Sequence, residues 1–341
     1  MSVSIRDVAQ RAGVSISTAS RALNNKPDVN KEVRQRVLAA ARELNYAANV
    51  HARVLGGGRS RALGLVIVNS ADFFFTNIVR GVSDTATAHG YSIMVWNTDE
   101  TVEGELWAHQ MLRQRQVDGA LIGSVQSGMV PLERLIAEGL PIVLLNRRLS
   151  GLAADHVLSD YRCGAYDATR YLIELGHRRI AHLTWHDDRY SVQERLAGYL
   201  DALRDAGIEP PPDFIIRCAV GMEGAYRGIL NRLPELRPKP TALFVYNDYS
   251  TIGVLKAFHE LDVRVPDDIS LMGYDDMEFS RFLIPSLTTM AQNPYEIGRQ
   301  GTELLIERLR DRDAPWTPRQ IVLRPELRVR ASTTPPGSDD E

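Results

Sequence analysis

From Leu63 to Tyr274 short apolar runs alternate with longer amphipathic stretches, and no other feature limits the fold as strongly. The apolar runs are Leu63–Val68, Tyr91–Trp96, Gly119–Ile122, Pro141–Leu145, Ile180–Thr184, Phe214–Cys218, Ala242–Tyr246 and Ile269–Tyr274. Between them lie helical patterns over about Asn77–His89, Gly104–Arg115, Pro131–Glu138, Arg162–Leu175, Ser191–Ala206, Met222–Leu233 and Tyr249–Leu261. Unbroken apolar strands separated by helices predict parallel sheets covered on both faces. There are too many units for one sheet, and a break near Leu149–Asp160 divides them into two sets of similar size. The expectation is two doubly wound halves with a cleft between the carboxyl ends of their strands.

Charge separates this body from what precedes it. Residues 1–61 hold eleven Lys and Arg against four Asp and Glu, a net of +7, while the whole 341-residue chain carries −3. The remaining residues therefore carry −10, and a small basic head on an acidic body predicts a polyanion-binding module joined to one that avoids polyanions. No apolar run is long enough to span a bilayer. The N-terminus enters an amphipathic helix directly, without an apolar secretion segment, so a cytoplasmic protein is expected. Cys163 and Cys218 lie far apart and outside any C-x-x-C spacing, which indicates neither a disulfide framework nor a metal site.

Within the head, Ile5, Val8 and Ala9 form one apolar stripe of a short helix. Gly13 is placed to end it, and Ser15 to cap a second helix. Ala19, Ala22 and Leu23 line that helix's inner face, leaving Ile16, Ser17, Thr18 and Arg21 outside. This is the helix-turn-helix plan, with a short helical hairpin inside a core as the plainer alternative. A polar loop broken by Pro27 leads to a third helix, about Lys31–Leu44, with Val33, Val37, Leu38, Ala41 and Leu44 facing inward. The domain division that follows is a helix-turn-helix unit at 1–47, a linker at 48–61 and the body at 62–331.

The run Ile5-Arg-Asp-Val-Ala, Ala12-Gly-Val-Ser, Thr18-Ala-Ser-Arg-Ala-Leu-Asn24 and Arg36-Val-Leu-Ala-Ala-Ala, closing at Leu44-Asn-Tyr46, resembles the head of the lactose/galactose repressor family. The likeness extends to about residue 331. It implies a homodimer that reads a palindromic operator in double-stranded DNA, and a body of periplasmic-binding-protein-like fold. It implies base readers at Ile16, Ser17 and Arg21, with Ser15, Thr18 and Asn24 fixing the phosphate register. Arg21 suits guanine as a bidentate donor, whereas Ile16 offers only apolar contact. The resemblance also places a DNA-induced hinge helix near Asn49, Ala52, Arg53 and Leu55, with Leu55 wedged into the minor groove. Packing of Leu55 on the body is the alternative. Ala48 stands where a proline usually precedes that hinge. The chain is then expected to cross between the halves of the body near 160, 290 and 323. That gives an N-subdomain of about 62–160 and 291–322, and a C-subdomain of about 161–290 and 323–331.

In the family, polar residues at strand ends bind a small effector, possibly a sugar. By position these are Asn146, Arg147, Asn247, Asp248, Asp275 and Gln292, with Arg195 on a helix. Carboxylates and amides suit hydroxyl groups, and an arginine adds a forked donor. Asp248 serves equally as a helix cap, and Arg147 as a salt bridge between halves. Of Phe73-Phe-Phe75, Phe73 and Phe74 are candidates to stack on an effector, with at least one ring in the core. Val220 or its neighbours replace the family's aromatic platform, and Trp185, in Trp185-His186-Asp187-Asp188, is the candidate substitute, or else part of an exposed loop.

Catalytic and metal readings find little support. His177, His182 and His186 follow no metal-ligand spacing, Gly123-Ser-Val-Gln-Ser-Gly128 misses the nucleophile-elbow pattern, and no nucleophile pairs with a base. No enzyme, cofactor or metal is expected. The competing functions are a transporter's solute-binding receptor and a regulator whose body binds a protein partner. Thr333–Glu341 is acidic and rich in Pro and Gly, which predicts a disordered tail over 332–341.

Overall fold

The computed structural model describes residues 3–23, 26–46, 60–124, 128–149, 151–186, 189–311 and 315–337. The chain divides into two units, Met1–Ser60 and Arg61–Glu341.

In the first unit, α1 (Ile5–Ala12), α2 (Ile16–Leu23) and α3 (Lys31–Glu43) enclose a core of Val8, Ala9, Ala12, Ala19, Ala22, Val37, Ala40 and Ala41. Small residues dominate because helices this short must approach closely to exclude water at all. Gly13 ends α1 at φ 64, a left-handed conformation that costs glycine nothing. Ala40 takes the inward place expected for Leu38, which is 37% exposed.

The second unit contains two six-stranded sheets. The first runs β11 (Gln320–Leu323), β5 (Asp155–Ser159), β4 (Ile142–Leu145), β3 (Gly119–Ile122), β1 (Ala62–Ile67), β2 (Ser92–Asn97). The second runs β12 (Glu326–Arg328), β10 (Thr288–Ala291), β9 (Ser270–Asp275), β8 (Ala242–Val245), β6 (Ile180–Trp185), β7 (Ile215–Cys218). All pairings are parallel except β10 with β12. On the first sheet, α4 (Phe73–Ala88) and α11 (Pro294–Arg310) cover one face, and α5 (Val102–Gln114) with α6 (Val130–Ala137) the other. On the second, α7 (Tyr161–Glu174) and α8 (Tyr190–Asp205) lie opposite α9 (Gly221–Arg232) and α10 (Asp248–Glu260). Burial on both faces is why the inner strands β1, β3, β4, β6, β8 and β9 read as apolar runs.

Three expectations need correction. The break at 149–160 contains a strand, β5, whose polar ends are buried: Asp155 Oδ1 accepts the Arg319 backbone N–H at 2.7 Å. Helix α4 begins at Phe73, four residues before the expected start, because Asp72 caps it by accepting the Phe74 N–H at 2.8 Å. Residues 332–337 are not a loose tail. Ser332 pairs with Leu271 through its backbone carbonyl and its hydroxyl, Thr334 exchanges two hydrogen bonds with Ser270, and His177 Nε2 meets the Thr334 carbonyl at 2.9 Å. Buried polar partners outweigh a polar composition here.

Candidate functional site

A cleft lies where the two sheets present their carboxyl ends. Loops after β1 and β2 bring Asp72 and Glu100, the first turn of α4 brings Phe74 and Phe75, and the loop after β4 brings Asn146 and Arg147. The opposite half brings Trp185, Tyr246, Asn247, Asp275 and Gln292 from strand ends, with Tyr161, Arg189, Ser191 and Arg195 from the amino-terminal parts of α7 and α8.

Arg195 and Asp275 form the centre. Arg195 is 3% exposed, and its Nη2 lies 3.1 Å from Asp275 Oδ1. It also donates to the Tyr246 carbonyl, and the rings of Tyr161, Tyr246 and Tyr274 surround its guanidinium at 5.1, 4.3 and 3.9 Å. A buried cation held by a carboxylate, a carbonyl and three rings loses little freedom when a ligand arrives. Gln292 Nε2 donates to the same Asp275 oxygen at 2.6 Å. Asp275 has φ 114, a strained conformation for a residue with a side chain, and such strain collects at ligand sites. Burial outweighs the pull of Arg195 and pushes its carboxyl up to about 6.

Around this pair, three residues that line the cleft hold unmatched polar atoms. Asn146 Oδ1, Gln292 Oε1 and Trp185 Nε1 are buried and have no hydrogen-bond partner among the described residues. Unpaired buried donors and acceptors are costly, so their convergence on one cavity marks where a polar ligand fits. Trp185 tilts against Tyr246 with ring centroids 3.9 Å apart, and the Arg189 guanidinium lies 5.1 Å above it. Arg189 also pairs with Glu100 at 2.5 Å, joining the two halves across the cleft.

The structure thus brings together Phe74, Asn146, Arg147, Trp185, Arg195, Asn247, Asp275 and Gln292 from the expected set. It does not bring Phe73, which is 54% exposed and turned edge-on to Phe279. Nor does it bring Asp248, for which both expectations fail. Asn247 is the cap, accepting the Ser250 N–H at 2.9 Å, and Asp248 is wholly buried beneath the cleft. Arg147 makes no ion pair among the described residues and lies 5.9 Å from the Phe75 ring centre. Val220 is exposed and is not among the residues lining the cleft, whereas Trp185 lines it. Sequence reasoning missed Asp72, Glu100, Tyr161, Arg189, Ser191 and Tyr246. Tyr246 ended a recognised strand and Asp72 followed one, but nothing in the sequence marks which such residues face inward.

Burial, then the charge of Asp275, pushes the Asp248 carboxyl up to about 7. Its unfolded value is roughly 4, so its contribution to stability is fully present below about pH 4 and is lost as pH rises through about 7. Asp248→Asn removes that loss. The variant's melting temperature is expected to climb relative to the parent's between about pH 5 and pH 8, and thermal melts across that range check it. A constant gap would show that Asp248 does not titrate there.

In the other unit, Ser15 Oγ accepts the Thr18 N–H at 3.1 Å, starting α2 as expected. Ile16, Ser17 and Arg21 are exposed, Thr18 is partly so, and Ala19 and Ala22 are buried. Arg21 pairs with Asp28. Asn24, Asn49, Ala52, Arg53 and Leu55 lie outside the described residues.

The model for bacterial regulatory proteins of the lacI family matches residues 4–49, and that for the periplasmic binding protein-like domain matches 169–333. The HTH-type transcriptional repressor PurR of Vibrio atlanticus (strain LGP32) is 33% identical over 310 residues, 91% of this chain and 92% of the relative. The chain belongs to the lacI family. The ribose operon repressor of Haemophilus influenzae is 32% identical over 96% of this chain and 98% of its own. Among solved lacI-family structures, the lac repressor dimer bound to operator and the anti-inducer ONPF superposes with a TM-score of 0.85 at 28% identity, covering 98% of this chain and 100% of that one. The transcriptional regulator CelR–cellobiose complex gives 0.72 at 29%, over 97% and 99%. This lacI-family chain is a DNA-binding transcriptional regulator with a helix-turn-helix head, which a solute-binding receptor would lack.

Proposed function

We propose that this protein is a cytoplasmic repressor that binds a palindromic operator as a homodimer and changes its grip when a small polyhydroxylated effector, of sugar class, fills the cleft. The observation that carries the reading is the buried Arg195–Asp275 pair ringed by unmatched Asn146, Gln292 and Trp185 polar atoms, in a chain that also holds an exposed recognition helix. Aromatic walls and amide-rich edges suit a neutral ring bearing hydroxyls. The charges of the lining largely cancel: Arg195 faces Asp275 and Arg189 faces Glu100. One relative is named for the ribose operon, and one solved relative is a complex with cellobiose.

On the DNA side, Ile16, Ser17 and Arg21 read base edges and Ser15, Thr18 and Asn24 hold phosphates. Asn49, Ala52, Arg53 and Leu55 act at the minor groove. One recognition helix specifies too few base pairs for a genome, and a dyad doubles the count. Phe282 and Ile284 are 70% and 94% exposed on the body, an apolar pair suited to a second copy. Ile284→Asp is expected to give monomers in sedimentation and to weaken operator binding by about 100-fold or more, since each half-site then acts alone. A dimer of unchanged affinity would place the interface elsewhere.

Selection of bound duplexes by the purified full chain, with thermal melts against pentoses, hexoses, cellobiose and purine bases, tests the whole reading. A palindrome should emerge, and one ligand class should raise the melting temperature by mass action. Random duplexes at all salt concentrations, or no stabilising ligand, would overturn it.

A further inference from the structure

Asp248 is the one wholly buried carboxylate among those the sequence placed in the cleft, and neither capping nor ligand contact accounts for it. Its Oδ2 accepts the Met277 N–H at 2.9 Å and the Ser280 hydroxyl at 2.6 Å, and its Oδ1 accepts the Thr289 hydroxyl at 2.7 Å. Two of these donors belong to the turn that leaves β9. That turn begins with Asp275 at φ 114 and Asp276 at φ 54, two successive left-handed residues that need outside support. The approach is close: a Cβ on Gly273 would stand 2.3 Å from Asp248 Oδ1, so only glycine leaves the carboxylate its place.

The same turn reaches the other half of the body. Met277 is buried in the core cluster of the first half with Phe74 and Phe75, and Phe279 packs on that cluster. Phe279 also meets Phe73 edge-on, with ring centroids 6.1 Å apart. One short segment therefore carries the effector-facing Asp275 at its start and an apolar contact across the cleft two to four residues later. Asp248 holds it between these ends.

We propose that Asp248 is a positioning residue that ties the orientation of Asp275 to the seating of Met277 and Phe279 on the first half, so that effector recognition and closure of the halves move together. The proposal rests on the effector reading of the cleft. A carboxylate suits the task because its two oxygens accept from three donors at once, and removing it would orphan all three in the interior.

Hydrogen exchange on the full chain without ligand tests it. In Asp248→Ala, amides of 276–281 are expected to exchange at least tenfold faster, and those of the first turn of α4, 73–76, to accelerate with them. The rest of both sheets should stay protected. Asp248→Asn should restore both segments, because its carbonyl oxygen still accepts from Met277 and Ser280 while its amide donates to the Thr289 oxygen. A purely local staple would loosen 276–281 and leave 73–76 unchanged, and that result overturns the proposal, as does no change at 276–281. Should Asp248→Ala lose protection everywhere, Ser280→Ala with Thr289→Val removes two donors without touching the carboxylate and is read by the same criterion. No ligand enters the measurement, so its outcome stands apart from that of the effector screen.

Discussion

Arg21→Ala should leave a protein that still binds DNA and no longer prefers its operator. Arg21 is exposed on α2, with its neighbours Ala19 and Ala22 turned into the core, so truncating it leaves the helix packed. Its guanidinium pairs with Asp28, an exposed ion pair that contributes little to the fold and that the proposed contact with a base edge would replace. A bidentate arginine–guanine contact discriminates by about 1–3 kcal/mol, and a palindrome uses it twice. The ratio of operator to random-duplex affinity is therefore expected to fall by roughly 30-fold to 10⁴-fold. Salt-dependent binding to random duplex should fall only slightly, by the loss of one positive charge. Gel-shift titrations against both duplexes at several salt concentrations measure the ratio. A preserved ratio would remove Arg21 from the base-reading set.

The second large effect is expected at the cleft. Asp275→Asn keeps the shape of the side chain and an oxygen for Arg195 and Gln292, yet withdraws the charge opposite a buried guanidinium. A hydrogen bond to a charged group is worth about 1.5–3 kcal/mol, so effector affinity should drop about 10-fold to 150-fold. Operator affinity without effector should stay within a factor of about three, because the substitution lies in the body and leaves the reading helix intact. Breaking a buried pair also destabilises by about 3–5 kcal/mol, so a lower melting temperature accompanies the change. Titrating effector into an operator complex of each protein reads both quantities. An unchanged response would take Asp275 out of the site.

Most of the architecture was legible because the inner strands of both sheets are buried on both faces, and burial writes itself as apolar runs. Where burial is polar the pattern fails. Asp155 and His156 open β5 with side chains that look like loop residues, and Arg319, distant in sequence, supplies the partner that lets Asp155 be buried. Ser332 and Thr334 fail the same way, since their partners on β9 and at His177 are invisible to composition. Phe73 was misplaced because three consecutive rings suggest a wall, whereas α4 turns each ring about 100° from the last and sends one outward. In the cleft, strand-end position found Asn146, Asn247, Asp275 and Gln292. It could not find Tyr161 and Arg189, which arrive from helices and depend on how two halves meet. Asp248 shows the opposite error: its place at a strand exit was right, and the backbone turned the side chain under the floor.

The order of strands has a consequence for how this protein can be dissected. Strand β11 and helix α11 complete the first half after the chain has built most of the second, and β12 then returns to the second. Neither half is a continuous stretch of polypeptide. A fragment ending before Pro294 would bare the apolar flank of β3 and β4, where Leu305 and Leu145 pack, and should aggregate rather than fold. Three separate strings of backbone join the lobes, so neither can tumble freely about one tether. A sensor built from this scaffold must be transplanted whole.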